Sequence, residues 1–166
     1  MHLADREKAF RFHIEQMGSR HPELARQLVA FAWACLQKTT LARLRGRSRL
    51  QNALLMVQCW LKGESVEQFL RSMHDDVFEA ALGAGRFEPD MTGQKAACWS
   101  VFELYQAALA VVTGERLLVA RKAAWAASLA GRSGDDGLTL SVLEYQEGLF
   151  AEMFTAAPVA AVVDAV

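Results

Sequence analysis

Residues 48–82 of the chain read SRLQNALLMVQCWLKGESVEQFLRSMHDDVFEAAL, which is typical of two amphipathic helices on either side of a Gly63-Glu64 turn. Apolar side chains recur every three or four residues in both halves, as they do on one face of an α-helix. They are Leu50, Ala53, Leu54, Val57, Trp60 and Leu61 before the turn, and Val66, Phe69, Leu70, Met73 and Val77 after it. Because the connection is so short, we predict an antiparallel helical hairpin over residues 47–82.

A second pair of helices follows a Gly- and Pro-containing loop at residues 83–93. Its first stripe holds Cys98, Val101, Phe102, Tyr105, Ala108 and Val112, and its turn is again a Gly-Glu pair, Gly114-Glu115. The second helix, Leu117 to Ala130, is rich in alanine. Small side chains allow neighbouring helices to approach closely, so we expect this helix to lie at the centre of the fold. The hairpin spans residues 94–130, and its match to the first hairpin leaves open whether the two arose by duplication.

Local signals predict where several helices begin and end. Three Ser-x-x-Gln/Glu sequences have the spacing of a capping box, in which two side chains satisfy free backbone N–H groups at a helix start. They begin at Ser48, Ser65 and Ser141. Glycine commonly follows the last helical residue, so Gly18 is predicted to end the first helix at Met17.

The whole chain of 166 residues is predicted to be one all-α domain, a bundle of six to seven helices. No segment shows the sustained alternation of a strand. The predicted parts are basic N-terminal helices over residues 1–46, the hairpins over 47–82 and 94–130, a last helix over 141–154 and an apolar tail over 155–166.

The net charge of −1 conceals an asymmetry along the chain. Residues 1–50 hold ten Lys or Arg and four Asp or Glu, a sum of +6, whereas residues 51–166 hold eight and fifteen, a sum of −7. The start of the chain is charged, no apolar run has the length of a membrane span, and the three cysteines are odd in number and widely spaced. We therefore expect a cytoplasmic protein with no membrane contact, whose Cys35, Cys59 and Cys98 are reduced core residues.

The densest cationic feature is the sequence Arg43-Leu44-Arg45-Gly46-Arg47-Ser48-Arg49. Arginine forks bind phosphate, so Arg43, Arg45, Arg47 and Arg49 could form an anion-binding or nucleic-acid-binding site. The alternative is a solvated turn whose arginines meet acidic residues such as Asp75, Asp76 or Glu79. The acidic character of the remaining chain argues against a nucleic-acid partner.

No metal, cofactor or catalytic site is predicted from the sequence. On a helix, Asp75 and Glu79 share a face, while His74 and Asp76 point elsewhere, so this cluster supplies too few ligands for an ion. Phosphate-loop, dinucleotide-binding and zinc-protease motifs are absent from the sequence. A small helical enzyme or ligand carrier stays open as an alternative, with a pocket lined by Trp33, Trp60, Trp99 or Trp125; packing in the core explains these residues as well.

The stretch Arg49 to Ala81, with Cys59-Trp60-Leu61-Lys62-Gly63-Glu64 at its centre, resembles the helical immunity proteins of bacterial polymorphic-toxin systems. So does the alanine-rich hairpin around Gly114-Glu115. In that group a Trp-containing helix ends at a Gly-Glu turn and an Ala-rich helix follows. The resemblance covers about half the chain; Trp60 matches it, but Val111 stands where the second hairpin would have Trp. It implies a non-enzymatic protein that neutralises a toxin by direct binding.

On this hypothesis, acidic side chains would meet a basic toxin domain, because opposite charge steers association. The candidates are Glu64, Glu67, Asp75, Asp76 and Glu79 in the first hairpin, and Glu144, Glu147 and Glu152 in the last helix. The sequence leaves homo-oligomerisation through the apolar tail open.

Overall fold

A computed structural model describes residues 2–156, and these form an all-α bundle, as predicted. Within them no strand occurs. The α-helices are α1 (Leu3–Arg20), α2 (Ala25–Thr39), α3 (Ser48–Leu61), α4 (Glu67–Ser72), α5 (His74–Leu82), α6 (Gly93–Thr113), α7 (Arg116–Gly131) and α8 (Leu140–Ala151). Short 3₁₀ turns lie at Pro22–Leu24 and Leu41–Arg43, and a π-helical turn, Glu152–Ala156, follows α8. The predicted apolar tail, residues 155–166, falls almost entirely outside the described residues.

Helices α6 and α7 form the centre of the bundle. Helix α7 packs against α6, α2 and α1, and α6 also contacts α2, α3, α4 and α5. The alanines of α7 are no more than 2% exposed: Ala120, Ala123, Ala124, Ala126, Ala127 and Ala130. Their small size lets three helices surround α7, which agrees with the central position predicted for it.

Helices α3, α4 and α5 cover one side of α6. Helix α3 contacts α4 and α5, so the chain turns back on itself after Gly63. The helix expected over residues 65–82 is divided at Met73, where φ is −90° and ψ is −3°. This division accounts for eight helices where six to seven were predicted. It also starts a new helix, with Asp75 and Asp76 in the first turn of α5, where the helix dipole favours negative charge.

The prediction that Gly18 ends the first helix is wrong. Helix α1 continues to Arg20, and Gly18 is buried inside it against α7 and α2. A Cβ at Gly18 would lie 2.5 Å from the Cβ of Ala120 and 2.7 Å from Cδ1 of Leu28. Glycine is therefore required by a close helix approach at this position, and not by a helix end.

The three predicted capping boxes are also wrong. Arg47 is the N-cap of α3 and Val66 that of α4, and neither side chain accepts a capping hydrogen bond. Ser141 lies within α8, whose N-cap is Thr139; the Thr139 hydroxyl accepts a hydrogen bond from the Val142 backbone N–H. Ser48 and Ser65 each lie one residue from the N-cap of their helix, and Ser141 lies two residues after its N-cap.

The loop over residues 83–92 is fastened to the bundle. The indole Nε1 of Trp99 donates to the Gly85 carbonyl at 2.9 Å, and the Arg132 guanidinium donates to the Pro89 carbonyl. Phe87 packs edge-on to both Trp99 and Trp125. This loop therefore has anchors in α6 and α7.

Candidate partner-binding surface

The acidic residues predicted in the first hairpin come together on two short neighbouring helices. Glu64 lies in the turn before α4, and Gly63 gives that turn its left-handed backbone, with φ +88°. Glu67 begins α4, and Asp75, Asp76 and Glu79 lie on α5, which packs on α4. All five carboxylates are exposed. We call these residues, together with the exposed Phe69, the acidic α4–α5 surface.

Two exposed cations, Lys62 and Arg71, accompany the five carboxylates of this surface. Within the described residues, Glu67, Asp76 and Glu79 form no ion pair, and Asp75, whose side chain is 99% exposed, contacts only the His74 ring at 3.3 Å. Phe69 is 58% exposed in the middle of α4. An exposed aromatic side chain on the same helix as Glu67 adds an apolar anchor to a field that attracts cations.

Helices α4 and α5, which carry this surface, pack on α6. Leu70 and Val77 are fully buried, and the hydroxyl of Tyr105 on α6 donates to the Leu70 carbonyl. Burial raises the pKa of Tyr105 to about 12, so this hydroxyl remains a donor at neutral pH. Arg71 donates to the Val112 carbonyl on α6. The acidic α4–α5 surface therefore rests on a preformed support.

The acidic residues predicted in the last helix belong to a different surface. Helix α8 packs on α1, α2 and α7, whereas α4 and α5 pack on α3 and α6. Glu147 is paired with Arg6 of α1 at 2.5 Å, and Glu144 helps to raise the pKa of the same arginine. Glu152 borders a hollow beside Trp33. Charge in α8 is thus partly neutralised within the chain.

The fold pairs one arginine of the cluster with a carboxylate and keeps two others together: Arg47 and Arg49 border the same hollow of about 210 Å³ at the start of α3. Arg43 pairs with Asp135 at 2.5 Å, and this contact lowers the pKa of the Asp135 carboxyl. The partner is in the loop after α7, not among Asp75, Asp76 or Glu79 as the solvated-turn alternative suggested. Arg47 is half-buried, and Arg45 and Arg49 are exposed.

A buried ionic cluster that the sequence did not predict joins α1 to α7. Glu7 is 3% exposed and accepts hydrogen bonds from Ser128 and from the guanidinium groups of Arg132 and Arg11. The Arg11 guanidinium also lies 3.9 Å from the ring centre of Trp125. One carboxylate thus holds two cations in the bundle interior. The i, i+4 spacing of Glu7 and Arg11 was the available signal, but it equally fits a solvent-exposed pair.

A second buried charge lies between α6 and α7. Glu103 is 5% exposed, and its Oε2 lies 3.1 Å from Nζ of Lys122 without the geometry of a hydrogen bond. Desolvation raises the pKa of Glu103, and the nearby Lys122 opposes that shift.

The cysteines differ in exposure. Cys35 and Cys98 are buried, as predicted, but Cys59 is only half-buried, which corrects its assignment to the core. A hydrogen bond to Glu64 raises the pKa of the Cys59 thiol, and desolvation raises it further by a smaller amount. In the described part of the chain, no group of three or more His, Cys, Asp or Glu is arranged to hold a metal ion.

The four tryptophans do not converge on one pocket. Trp60 stacks under Arg26, whose guanidinium lies 4.5 Å from the ring centre and donates to the Trp60 and Leu61 carbonyls. Trp99 anchors the loop over residues 83–92, and Trp125 lies under Arg11. Trp33 lines a hollow of about 260 Å³ between α2 and α8, and within the described structure its buried Nε1 has no hydrogen-bond partner.

Among the described residues, one helix, α6, is long and apolar enough by length and composition to cross a membrane. Its most apolar stretch is 72% buried inside the bundle. A central core helix has the same composition, and the packing of α6 against four neighbouring helices and α7 accounts for its hydropathy.

In comparisons with known proteins, no family model, curated protein or solved structure matches this chain. The geometry of the surfaces described above is therefore the basis for a functional assignment.

Proposed function

We propose that this chain is a non-enzymatic protein-binding module of the immunity type, which neutralises a basic toxin domain by direct contact through the acidic α4–α5 surface. It would act in the cytoplasm, where its three unpaired cysteines stay reduced. The observation that carries the proposal is the set of five exposed carboxylates on α4, on α5 and on the turn before α4, of which Glu67, Asp76 and Glu79 have no ion-pair partner in the described structure.

Unbalanced surface charge favours this role on physical grounds. A one-sign patch accelerates the encounter with an oppositely charged partner by about 10- to 1000-fold at low salt. An exposed aromatic side chain inside the patch supplies the desolvated anchor that carries binding energy at an interface. The rigid support below the surface lowers the entropic cost of docking. Acidic residues in α8 contribute less, because Glu147 is already paired with Arg6.

The test uses the C-terminal domain of the protein encoded by the adjacent reading frame, with association followed by surface plasmon resonance across a salt series. We expect the Asp75→Lys/Asp76→Lys variant to associate about tenfold more slowly at low salt and to show a flatter salt dependence. The control is Asp90→Lys/Asp136→Lys, which makes the same charge change at two exposed loop carboxylates and should leave association nearly unchanged. Equal rates for both variants would remove the acidic α4–α5 surface from the interface.

The second candidate function is anion or nucleic-acid binding by Arg43, Arg45, Arg47 and Arg49. The exposure of Arg45 and Arg49 supports it. It is disfavoured by the Arg43–Asp135 pair, which already occupies one of the four guanidinium groups. A gel-retardation assay over a salt series separates the two functions, because phosphate contacts give a steep loss of affinity with salt. Retardation of a nucleic-acid duplex or single strand by the unaltered chain, but not by the Arg45→Glu/Arg49→Glu variant, would favour this second function.

A further inference from the structure

His74 is the first residue of α5 and lies beside carboxylates of the acidic α4–α5 surface. Its Nδ1 is 3.3 Å from Oδ1 of Asp75, and its side chain is 39% exposed. Asp76 follows in the same turn of the helix. A change in the charge of this imidazole therefore changes the field of the acidic α4–α5 surface directly.

The imidazole of His74 also packs on α6. Its ring centre lies 5.5 Å from that of Phe102 and 6.4 Å from that of Tyr105. The Tyr105 hydroxyl donates to the Leu70 carbonyl, so the same tyrosine contacts His74 and connects α6 to α4. The histidine thus lies between the support of the surface and its carboxylates.

Both ring nitrogens of His74 have a polar neighbour. Nε2 lies 3.4 Å from Nε2 of Gln106 on α6, so the neutral ring can accept a hydrogen bond from this amide while Nδ1–H donates to Asp75. Oε1 of Gln106 is buried and, within the described residues, has no hydrogen-bond partner. Rotation of the amide by about 180° exchanges its oxygen and nitrogen, and the oxygen can then accept from a protonated Nε2. The site therefore offers hydrogen-bond partners to the neutral and to the protonated imidazole.

The ionisable groups of the surrounding helices leave Asp75 as the charged side chain in contact with His74 among the described residues. Arg71 lies three residues earlier on α4, and its guanidinium donates to a backbone carbonyl of α6. Glu103 of α6 is paired with a lysine of α7. On α3, the thiol of Cys59 is hydrogen-bonded to a carboxylate of the turn before α4. Protonation of His74 thus adds a positive charge beside Asp75 without breaking another ion pair.

We propose that His74 makes the attraction of the acidic α4–α5 surface for a cationic partner depend on pH. Histidine is the side chain whose charge ordinarily changes between about pH 5 and 8. The neutral ring at the upper end leaves the carboxylates unbalanced, whereas the protonated ring at the lower end cancels part of their field. Binding of a basic protein therefore weakens as the pH falls. The inference rests on the proposed function for the identity of that protein.

The test measures the affinity of the full chain for rhodamine-labelled deca-lysine by fluorescence anisotropy at low salt, from about pH 8 to about pH 5.5. The charge of this peptide is constant over the range, and it reports on the surface without the toxin domain. We expect the affinity for the unaltered chain to fall about threefold more than that for His74→Gln, since one added charge acts over a few ångströms through water. His74→Lys should bind at about pH 8 as weakly as the unaltered chain does at about pH 5.5.

His21→Gln is the matched control. His21 also lies 3.3 Å from a carboxylate, that of Glu23, but it follows α1, outside the acidic α4–α5 surface, so this variant should keep the full pH dependence. Gln106→Leu removes the acceptor for the protonated ring, and the loss of affinity should then begin at lower pH. Circular dichroism melting of each variant verifies that the fold is retained.

An equal pH dependence of His74→Gln and the unaltered chain would overturn the inference, as would its loss in His21→Gln. The same series is then repeated with the toxin domain by surface plasmon resonance. If deca-lysine shows the effect of His74 and the toxin domain does not bind at any pH, the proposed function fails while the proton-dependent surface stands.

Discussion

Gly18 of α1 faces Ala120 of α7 at such short range that a Cβ on Gly18 would lie 2.5 Å from the alanine Cβ. The backbones of the two helices meet at this point, and Leu28 closes the space from α2. The contact therefore sets the separation of α1 and α7.

Substitution of Gly18 by Ala should destabilise the protein. Helix propensity alone favours alanine by about 1 kcal/mol, but the new methyl group forces α1 away from α7, and overpacking of this kind costs about 1–3 kcal/mol. Urea unfolding measures the change. Gly148→Ala is the matched control, because Gly148 is an exposed glycine in α8 with nothing within 4 Å of an added Cβ. This substitution should raise the free energy of unfolding by about 0.5–1 kcal/mol. Stabilisation by both substitutions would show that α1 and α7 are not in close contact.

Glu7→Gln should be among the most destabilising single substitutions in the chain. It leaves the guanidinium groups of Arg132 and Arg11, whose side chains are 14% and 16% exposed, without their buried counter-charge. Removal of one partner from a buried pair costs about 3–5 kcal/mol. Denaturant unfolding of Glu7→Gln, Arg132→Gln and the double variant gives the coupling energy. Asp135→Asn, which breaks the exposed pair with Arg43, is the control and should change the free energy of unfolding little. An equally small effect of Glu7→Gln would contradict the burial of the Glu7 ion pairs.

Glu103 makes stability depend on pH in a defined direction. Its pKa in the folded state is raised above the ordinary value of 4.5, so the folded protein holds this proton more tightly than the unfolded chain. The stability that protonated Glu103 contributes is therefore lost as the pH rises from 4.5 through the raised pKa. Over this interval the free energy of unfolding falls by at most about 1.4 kcal/mol per pH unit.

The comparison of Glu103→Gln with the unaltered chain isolates this effect. The difference in unfolding free energy should shift in favour of Glu103→Gln as the pH increases over that interval, measured by urea unfolding at several pH values. Glu88→Gln, at an exposed carboxylate paired with Lys95, serves as the control. A difference that moves in favour of the unaltered chain with rising pH would mean that Lys122 outweighs desolvation.

Cys59 should be the thiol that a disulfide reagent labels first. Cys35 and Cys98 are buried and should react only after unfolding. The reagent should therefore modify about one thiol per chain in the native sample and three in a denatured sample. Because Glu64 raises the pKa of the Cys59 thiol, Glu64→Gln should accelerate its labelling several-fold near neutral pH. Glu67→Gln, at the next carboxylate of the acidic α4–α5 surface, should leave the rate unchanged. Rapid labelling of all three thiols in the native protein would be inconsistent with this packing.

The apolar periodicity of the sequence was sufficient to predict the architecture. The stripes around Gly63-Glu64 and Gly114-Glu115 identify the helical pairs, and the alanines of α7 identify its central position, because burial follows directly from side-chain size and spacing. Helix starts were predicted less well. Ser48 and Ser141 have the composition of caps, but the choice of N-cap depends on where packing first holds the chain.

The buried charges could not be predicted from local pattern. Glu7 looks like a solvent-facing residue of a polar helix, and only its distant partners Ser128 and Arg132 explain its burial. The acidic residues of the hairpin were identified from sequence, but their separation from those of α8 depends on which helices pack together.

The Glu7 cluster also has a consequence for the order in which the protein can assemble during synthesis. Glu7 leaves the ribosome long before Arg132, which lies 125 positions later in the chain. Until then Glu7 has only Arg11 of its own helix as a counter-charge, and α1 lacks the alanine surface on which Gly18 rests. Docking of the first helix must therefore be among the last events of co-translational folding, and a nascent chain interrupted before α7 would expose α1 to chaperones and proteases.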